Sequence, residues 1–213
     1  AEGNTEMALA LINNGANVNA TDQFGYTPLH WAERNNNTEI VLALIENGVD
    51  VGSTVLHLPA LQGCTETAVA LIEKGADVNA TDQDGYTALQ YAAKHGHAET
   101  VLALIANGAD VNAAGQYGYT ALHYAAINGH AETVLALIEK GAGVNAADIQ
   151  GRTPLQRATM NGKNEISRAI EHPLHYAARI SDVKTVKALI GIGYDLQAKL
   201  DDKTPLEHAI AAD

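Results

Sequence analysis

Apolar residues in this chain come in short clusters, and each cluster runs out at a glycine. Val101, Leu102, Leu104 and Ile105 precede Gly108, and Val134, Leu135, Leu137 and Ile138 precede Gly141. That spacing covers a wide face of a helix. A shorter apolar stretch comes ahead of each cluster, opened by a helix-capping threonine and often followed by proline at the first helical position, as at Pro28, Pro154, Pro173 and Pro205. It ends at Gly96 or Gly129, where glycine permits a left-handed stop. Between one pair of helices and the next lie polar stretches with a glycine turn, such as "ADVNATDQDGYT", which read as projecting hairpin fingers. The pattern predicts helix, turn, helix and finger, over and over. Helices of ~8–10 residues are marginal alone in water, so the units must stack to bury their faces.

The repetition is literal. Tyr86–Ala113 and Tyr119–Ala146 share 22 of 28 residues at an offset of 33. The frame starts at Thr27, Thr54, Thr87, Thr120, Thr153, His172 and Thr204. A fixed period of this size marks a solenoid. The openings "GYTPLHWA" (Gly25–Ala32) and "GYTALHYA" (Gly118–Ala125), with the endings "GADVNA" at Gly75–Ala80 and Gly108–Ala113, resemble the ankyrin repeat family over essentially the whole chain. The resemblance implies an all-α ankyrin-repeat solenoid of stacked helix-turn-helix units with projecting β-hairpin fingers, forming one domain over residues 1–213. Partial repeats occupy 1–26 and 204–213, an arrangement expected of a piece of a longer chain that starts at Ala1 rather than Met. Two intervals are short, by six residues between Val51 and Gly52 and by 14 between Glu171 and His172. The expectation is that the numbering closes over segments missing there; a Cα spacing of about 3.8 Å across both junctions would contradict it.

Charge changes the picture modestly. Formal net charge is −12, and residues 1–150 hold four Lys/Arg against 17 Asp/Glu. Such a surface repels phosphate backbones and argues against a nucleic-acid partner. No apolar run is long enough for a membrane span. The single cysteine, Cys64, rules out an internal disulfide and suits a reducing, intracellular compartment. Delivery into a host cell would apply if the source were a bacterial symbiont or pathogen.

Candidate chemistry is thin. His30, His57, His123 and His175 recur one per unit in one slot, with Gln90, Gln156 and Glu207 in the others. In the family that slot ties a repeat to its neighbour. "HGH" at His95–His97 and "HPLH" at His172–His175 have no further ligands at metal-site spacing, and Cys64 has no recognisable base. No phosphate loop, nucleophile elbow or zinc-protease motif is present. No catalytic residue, metal or cofactor is expected.

The aromatics point elsewhere. Phe24, Tyr26, Tyr86, Tyr117 and Tyr119 lie in fingers; Trp31, Tyr91, Tyr124 and Tyr176 follow the His/Gln slot in first helices. In the ankyrin family those elements line a concave groove where partner proteins bind. Tyr and Trp supply rigid contact area with a polar tip. The resemblance therefore implies a protein partner on a surface that includes Phe24, Tyr26, Trp31, Asp84, Tyr86, Tyr91, Lys94, Tyr117, Tyr119, Tyr124, Ile127, Arg152, Arg157 and Met160. Tyr86, Tyr91, Tyr119 and Tyr124 are expected as central anchors, with Arg152 and Arg157 as charged contacts. For the helix aromatics, packing between repeats weighs equally with binding. An appendage positioning an enzyme domain elsewhere, or a passive spacer, is the alternative.

Overall fold

Threonine fixes where the first helices begin. In the computed structural model, which describes residues 2–35, 37–49, 54–180 and 182–212, Thr27, Thr87, Thr153 and Thr204 each take an extended backbone and accept from the N–H three residues on. At Thr87 the Gln90 side chain returns the favour, accepting from the Thr87 N–H at 3.0 Å. Thr54 departs from the expected pattern: the helix that follows starts at His57, with Leu56 at the cap and no side-chain bond.

The helices run α1 (Glu2–Asn13), α2 (Pro28–Arg34), α3 (Thr38–Glu46), α4 (His57–Gln62), α5 (Thr65–Glu73), α6 (Ala88–His95) and α7 (Ala98–Ala106). They continue as α8 (Ala121–Asn128), α9 (Ala131–Glu139), α10 (Pro154–Met160), α11 (Asn164–Glu171), α12 (Pro173–Arg179), α13 (Val183–Gly191) and α14 (Pro205–Ile210). First helices α4, α6, α8 and α10 stack in one layer, and second helices α1, α3, α5, α7, α9 and α11 stack in the other. Leu89, Leu104, Leu122 and Leu137 are buried where the layers meet, and one continuous core runs the length of the chain. Each such leucine contributes about 1.5–3 kcal/mol by leaving water.

The fingers are turns rather than strand ladders. Each is closed by one backbone bond of 3.0 Å: Asp22 N–H to Tyr26 O, Asp82 to Tyr86, Gly115 to Tyr119 and Asp148 to Arg152. Among the described residues the only β-type pairings are two isolated bridges, Thr81 with Thr87 and Leu200 with Lys203.

The two short intervals differ in what they show. Val51–Gly52 lies outside the described residues. At Glu171–His172 one helix leads directly into the next. His172 ends α11, its N–H donating to Arg168 O at 2.9 Å, and opens α12, its O accepting from Tyr176 N–H at 3.0 Å. With no finger between them, α12 docks on α11, and α13 lies against α9. α9 and α7 share the run "AETVLALI", yet Leu135 and Ala136 are buried while Leu102 and Ala103 are half-exposed.

Candidate functional site

Three fingers are each braced to their first helix by one carboxylate. Asp22, Asp82 and Asp148 each use Oδ1 to accept two N–H groups of their own turn. Oδ2 accepts from the side chain nine residues on: Trp31 Nε1–H at 3.1 Å, Tyr91 O–H at 2.7 Å, Arg157 Nε–H at 2.6 Å. Desolvation pushes the Asp82 carboxyl toward a higher pKa, but the Tyr91 hydroxyl and the turn N–H groups outweigh it and hold the carboxyl below the usual range. The Tyr91 phenol is pushed up to about 12, first by burial and then by Asp82. The spacing of nine was present in the sequence but went unread.

Where Gly115 replaces that aspartate, the brace is aromatic. Tyr124 is only 8% exposed. Burial, then a hydrogen bond with Tyr86, pushes its phenol far up. Its ring packs on Tyr86 and Tyr119 with centroids 5.6 and 5.4 Å apart. Tyr86 also touches Tyr91 at 5.5 Å and carries Lys94 over its face at 5.9 Å. Arg157 lies over Tyr119 at 5.0 Å while paired with Asp148 and bonded to Gln150.

Two of the expected contact residues already have partners within the chain. Tyr124 is a platform under its neighbours, and the Arg157 charge is already matched within the chain. Tyr86, Tyr91, Tyr119, Ile127 and Arg152 are half-buried around that platform. The residues that reach solvent are Phe24 at 72% exposure, Met160 at 58%, Tyr117 at 52%, and, less fully, Tyr26 and Trp31. Asp84 and Lys94 are also exposed. Phe24, Asp84 and Tyr117 occupy the same tip position of their fingers, two residues past the bracing position.

The histidine slot ties unit to unit. His57, His123 and His175 reach the carbonyls of Tyr86, Arg152 and Ala198 at 2.8–3.1 Å, and Gln90 donates to Ala113 and Tyr119 carbonyls. His97 and His130 face Leu61 O and Lys94 O one unit back. The asparagines of the "VNA" runs tie units as well. Asn79 donates to Gly108 O and accepts from Asp110 N–H, bridging adjacent units, and Asn112 repeats this with Gly141 and Gly143.

Burial pushes the Cys64 thiol up, away from thiolate character. Among the described residues no group of three His, Cys, Asp or Glu is arranged to hold a metal ion, and no helix is long and apolar enough to cross a membrane.

One residue was missed altogether. Glu33 sits in the slot that holds Ala60, Ala93 and Ala126 in the following units, and it is buried to 6% exposure with Oε1 unpartnered. Desolvation raises its pKa to about 8. An acid where other units have alanine was the available signal.

Comparison with known proteins converges on one description. A model of three ankyrin repeats matches residues 1–82 and 50–115, a model of many copies matches 104–158, and a single-repeat model matches 171–200. No curated protein matches the chain. Ankyrin repeats are generally protein–protein interaction modules and typically non-catalytic. Stacked helix pairs, threonine caps, inter-unit histidine ties and three matching family models together establish that the chain belongs to the ankyrin repeat family.

Proposed function

We propose that this chain binds a partner protein through its finger and first-helix surface, the concave face of an ankyrin stack. The observation that carries the reading is the division of labour among the aromatics. Tyr91 and Tyr124 brace the fingers from within, whereas Phe24 and Tyr117 stand at finger tips in solvent. An aromatic at a tip stabilises nothing beneath it and is costly to leave in water, so contact with a partner accounts for it best. The bracing aspartates and the tyrosine platform hold those tips in place before contact, which lowers the ordering cost of binding. The acidic balance of residues 1–150 favours a protein over nucleic acid and attracts a basic face.

The test uses two baits in a lysate of the source organism, followed by mass spectrometry and cross-linking. One is the chain itself; the other carries Phe24→Ala, Tyr117→Ala and Met160→Ala, which leave every brace intact. The expected result is a protein retained by the first bait, lost by the second, and cross-linked to the fingers. Equal retention moves binding to another face. Retention by neither favours a spacer, or an appendage to an enzyme domain elsewhere.

A further inference from the structure

Along most of the chain first helices pack side by side, but α2 and α4 barely touch. Between them opens a cleft of about 740 Å³. Its apolar wall is Leu29, Val55 and Leu58, and its mouth includes Gln83 and Asp84 of the neighbouring finger. Glu33 lines it, with the unpartnered, nearly fully buried oxygen described above.

We propose that this cleft receives one alkyl-borne cation, the side chain of a lysine or arginine on the partner protein; the assignment rests on the protein-binding reading above. An unsatisfied buried carboxyl oxygen is expensive, and an ammonium or guanidinium supplies both the missing hydrogen bond and the compensating charge. The carboxylates of Asp82 and Asp84 line the cleft with Glu33, so an anion is repelled and a cation is drawn in. Asp82 is kept ionised by its turn and by Tyr91. The His57 ring nitrogens each lie 2.8 Å from a carbonyl, Thr54 O and Tyr86 O, so both are already engaged within the chain. The apolar wall suits a methylene stem, as lysine and arginine bury theirs while the head seeks a polar partner. The donor set is wrong for a metal ion, since the described residues offer no chelating group of three. Because Thr21, Gln83 and Asp84 come from fingers, the cleft opens onto the face proposed for the partner.

The experiment is an NMR titration of the 15N-labelled chain with n-butylguanidinium, n-butylammonium and, as the neutral shape control, n-butylurea. Saturable shifts of the Glu33, Val55 and Leu58 amides are expected with both cations and not with the urea. Glu33→Gln should weaken the cations by at least about tenfold, as loss of a charged hydrogen-bond partner does. Asp84→Asn, at the exposed mouth, should weaken them by about threefold or less. Equal shifts with n-butylurea, or cation binding unchanged in Glu33→Gln, overturns the proposal. Should Glu33→Gln misfold, Glu33→Ala replaces it, matching the alanine of the other units. A third bait carrying Glu33→Gln separates the sources of the cation. Loss of the captured partner assigns it to a protein side chain; full retention alongside positive titrations assigns it to a free small amine and overturns the protein-borne part. A blank titration defeats the cleft even where the finger variants lose a partner, so the two readings fail separately.

Discussion

The junction between α6 and α8 and the junction between α2 and α4 follow one sequence frame and end in different structures. At α6–α8 the alanines Ala93 and Ala126 are fully buried, Gln90 bridges to the next finger, and the Gly96 turn accepts the ring of His130. At α2–α4 the alanine slot holds Glu33, and the cap that ends α2 is Asn35 rather than a left-handed glycine. The helix that should pack against α2 starts two residues late. The comparison teaches that the repeat motif specifies helices and turns, whereas small residues at a few slots decide whether neighbouring units close. At this junction an acid in the alanine slot, a different helix end and a late helix start accompany a cleft in place of packing.

The largest effect comes from testing that closure directly. Leu122 is fully buried at the tight junction, and Leu122→Ala should cost about 2–5 kcal/mol. Leu29 is buried but also lines the cleft. Leu29→Ala should fall at or below the low end, about 2 kcal/mol, since part of its surroundings is already open. Urea unfolding of both variants measures this; equal costs would mean the cleft closes in solution.

Next in size is Gly96→Ala. Gly96 has φ +79°, and a Cβ there would meet the His130 Nδ1 at 2.5 Å. Left-handed backbone costs ~1–2 kcal/mol for a residue with a Cβ, and displacing His130 from Lys94 O removes a bond of about 1 kcal/mol. A loss of about 2–3 kcal/mol is expected, with the His130 ring resonances shifted. A loss below about 1 kcal/mol would show that His130 does not hold the junction.

Glu33→Ala should act in the opposite direction, making the loose junction resemble the tight one. With the folded pKa raised from 4.5 to about 8, the unfolded chain loses the proton first as pH rises. Folded stability therefore falls between those values, by up to about 1.4 kcal/mol per pH unit, and is regained on acidification. The variant should lack that slope and exceed the parent most at pH 8. Denaturation at pH 5 and pH 8 decides it: parallel pH dependence in both proteins would show that Glu33 ionises freely in the folded state.

How much of this was legible follows from the same contrast. The helices, caps and stacking could be read because Thr87, Gly96 and the "ETVLALI" runs act locally and repeat. The partner surface was read from residue type alone. Tyr124 and Phe24 look alike as aromatics, and only burial separates a platform from a tip. The Asp82–Tyr91 brace was visible as a spacing of nine, but its meaning requires knowing that the finger folds back over its own helix. The cover of α13 over α9 was not legible at all. Leu102 and Leu135 sit in identical local sequence, and their different exposure comes from a connection shortened some 35 residues downstream.

The smallest effect tests the brace itself at the two junctions. Tyr91 donates to Asp82 at 2.7 Å and is half-buried, and Tyr91→Phe leaves that oxygen without its donor while keeping the ring. A hydrogen bond to a charged group in a partly buried setting is worth more than a neutral one, so a loss of about 1–2 kcal/mol is expected. The Asp82 carboxyl should move upward at the same time, because the hydroxyl is one of the groups holding it down. Trp31→Phe removes the matching bond to Asp22, but Trp31 is 42% exposed, and water replaces the lost donor. Its cost should stay below about 0.5 kcal/mol. Thermal unfolding gives the stability difference, and carboxyl 13C titration gives the Asp82 shift. If Tyr91→Phe moves neither, the carboxylate is held by the turn N–H groups alone, and the finger keeps its position without the helix. If both variants cost the same, the openness of the α2–α4 junction does not extend to its finger, and the cleft is bounded by a brace as firm as the one at α6–α8.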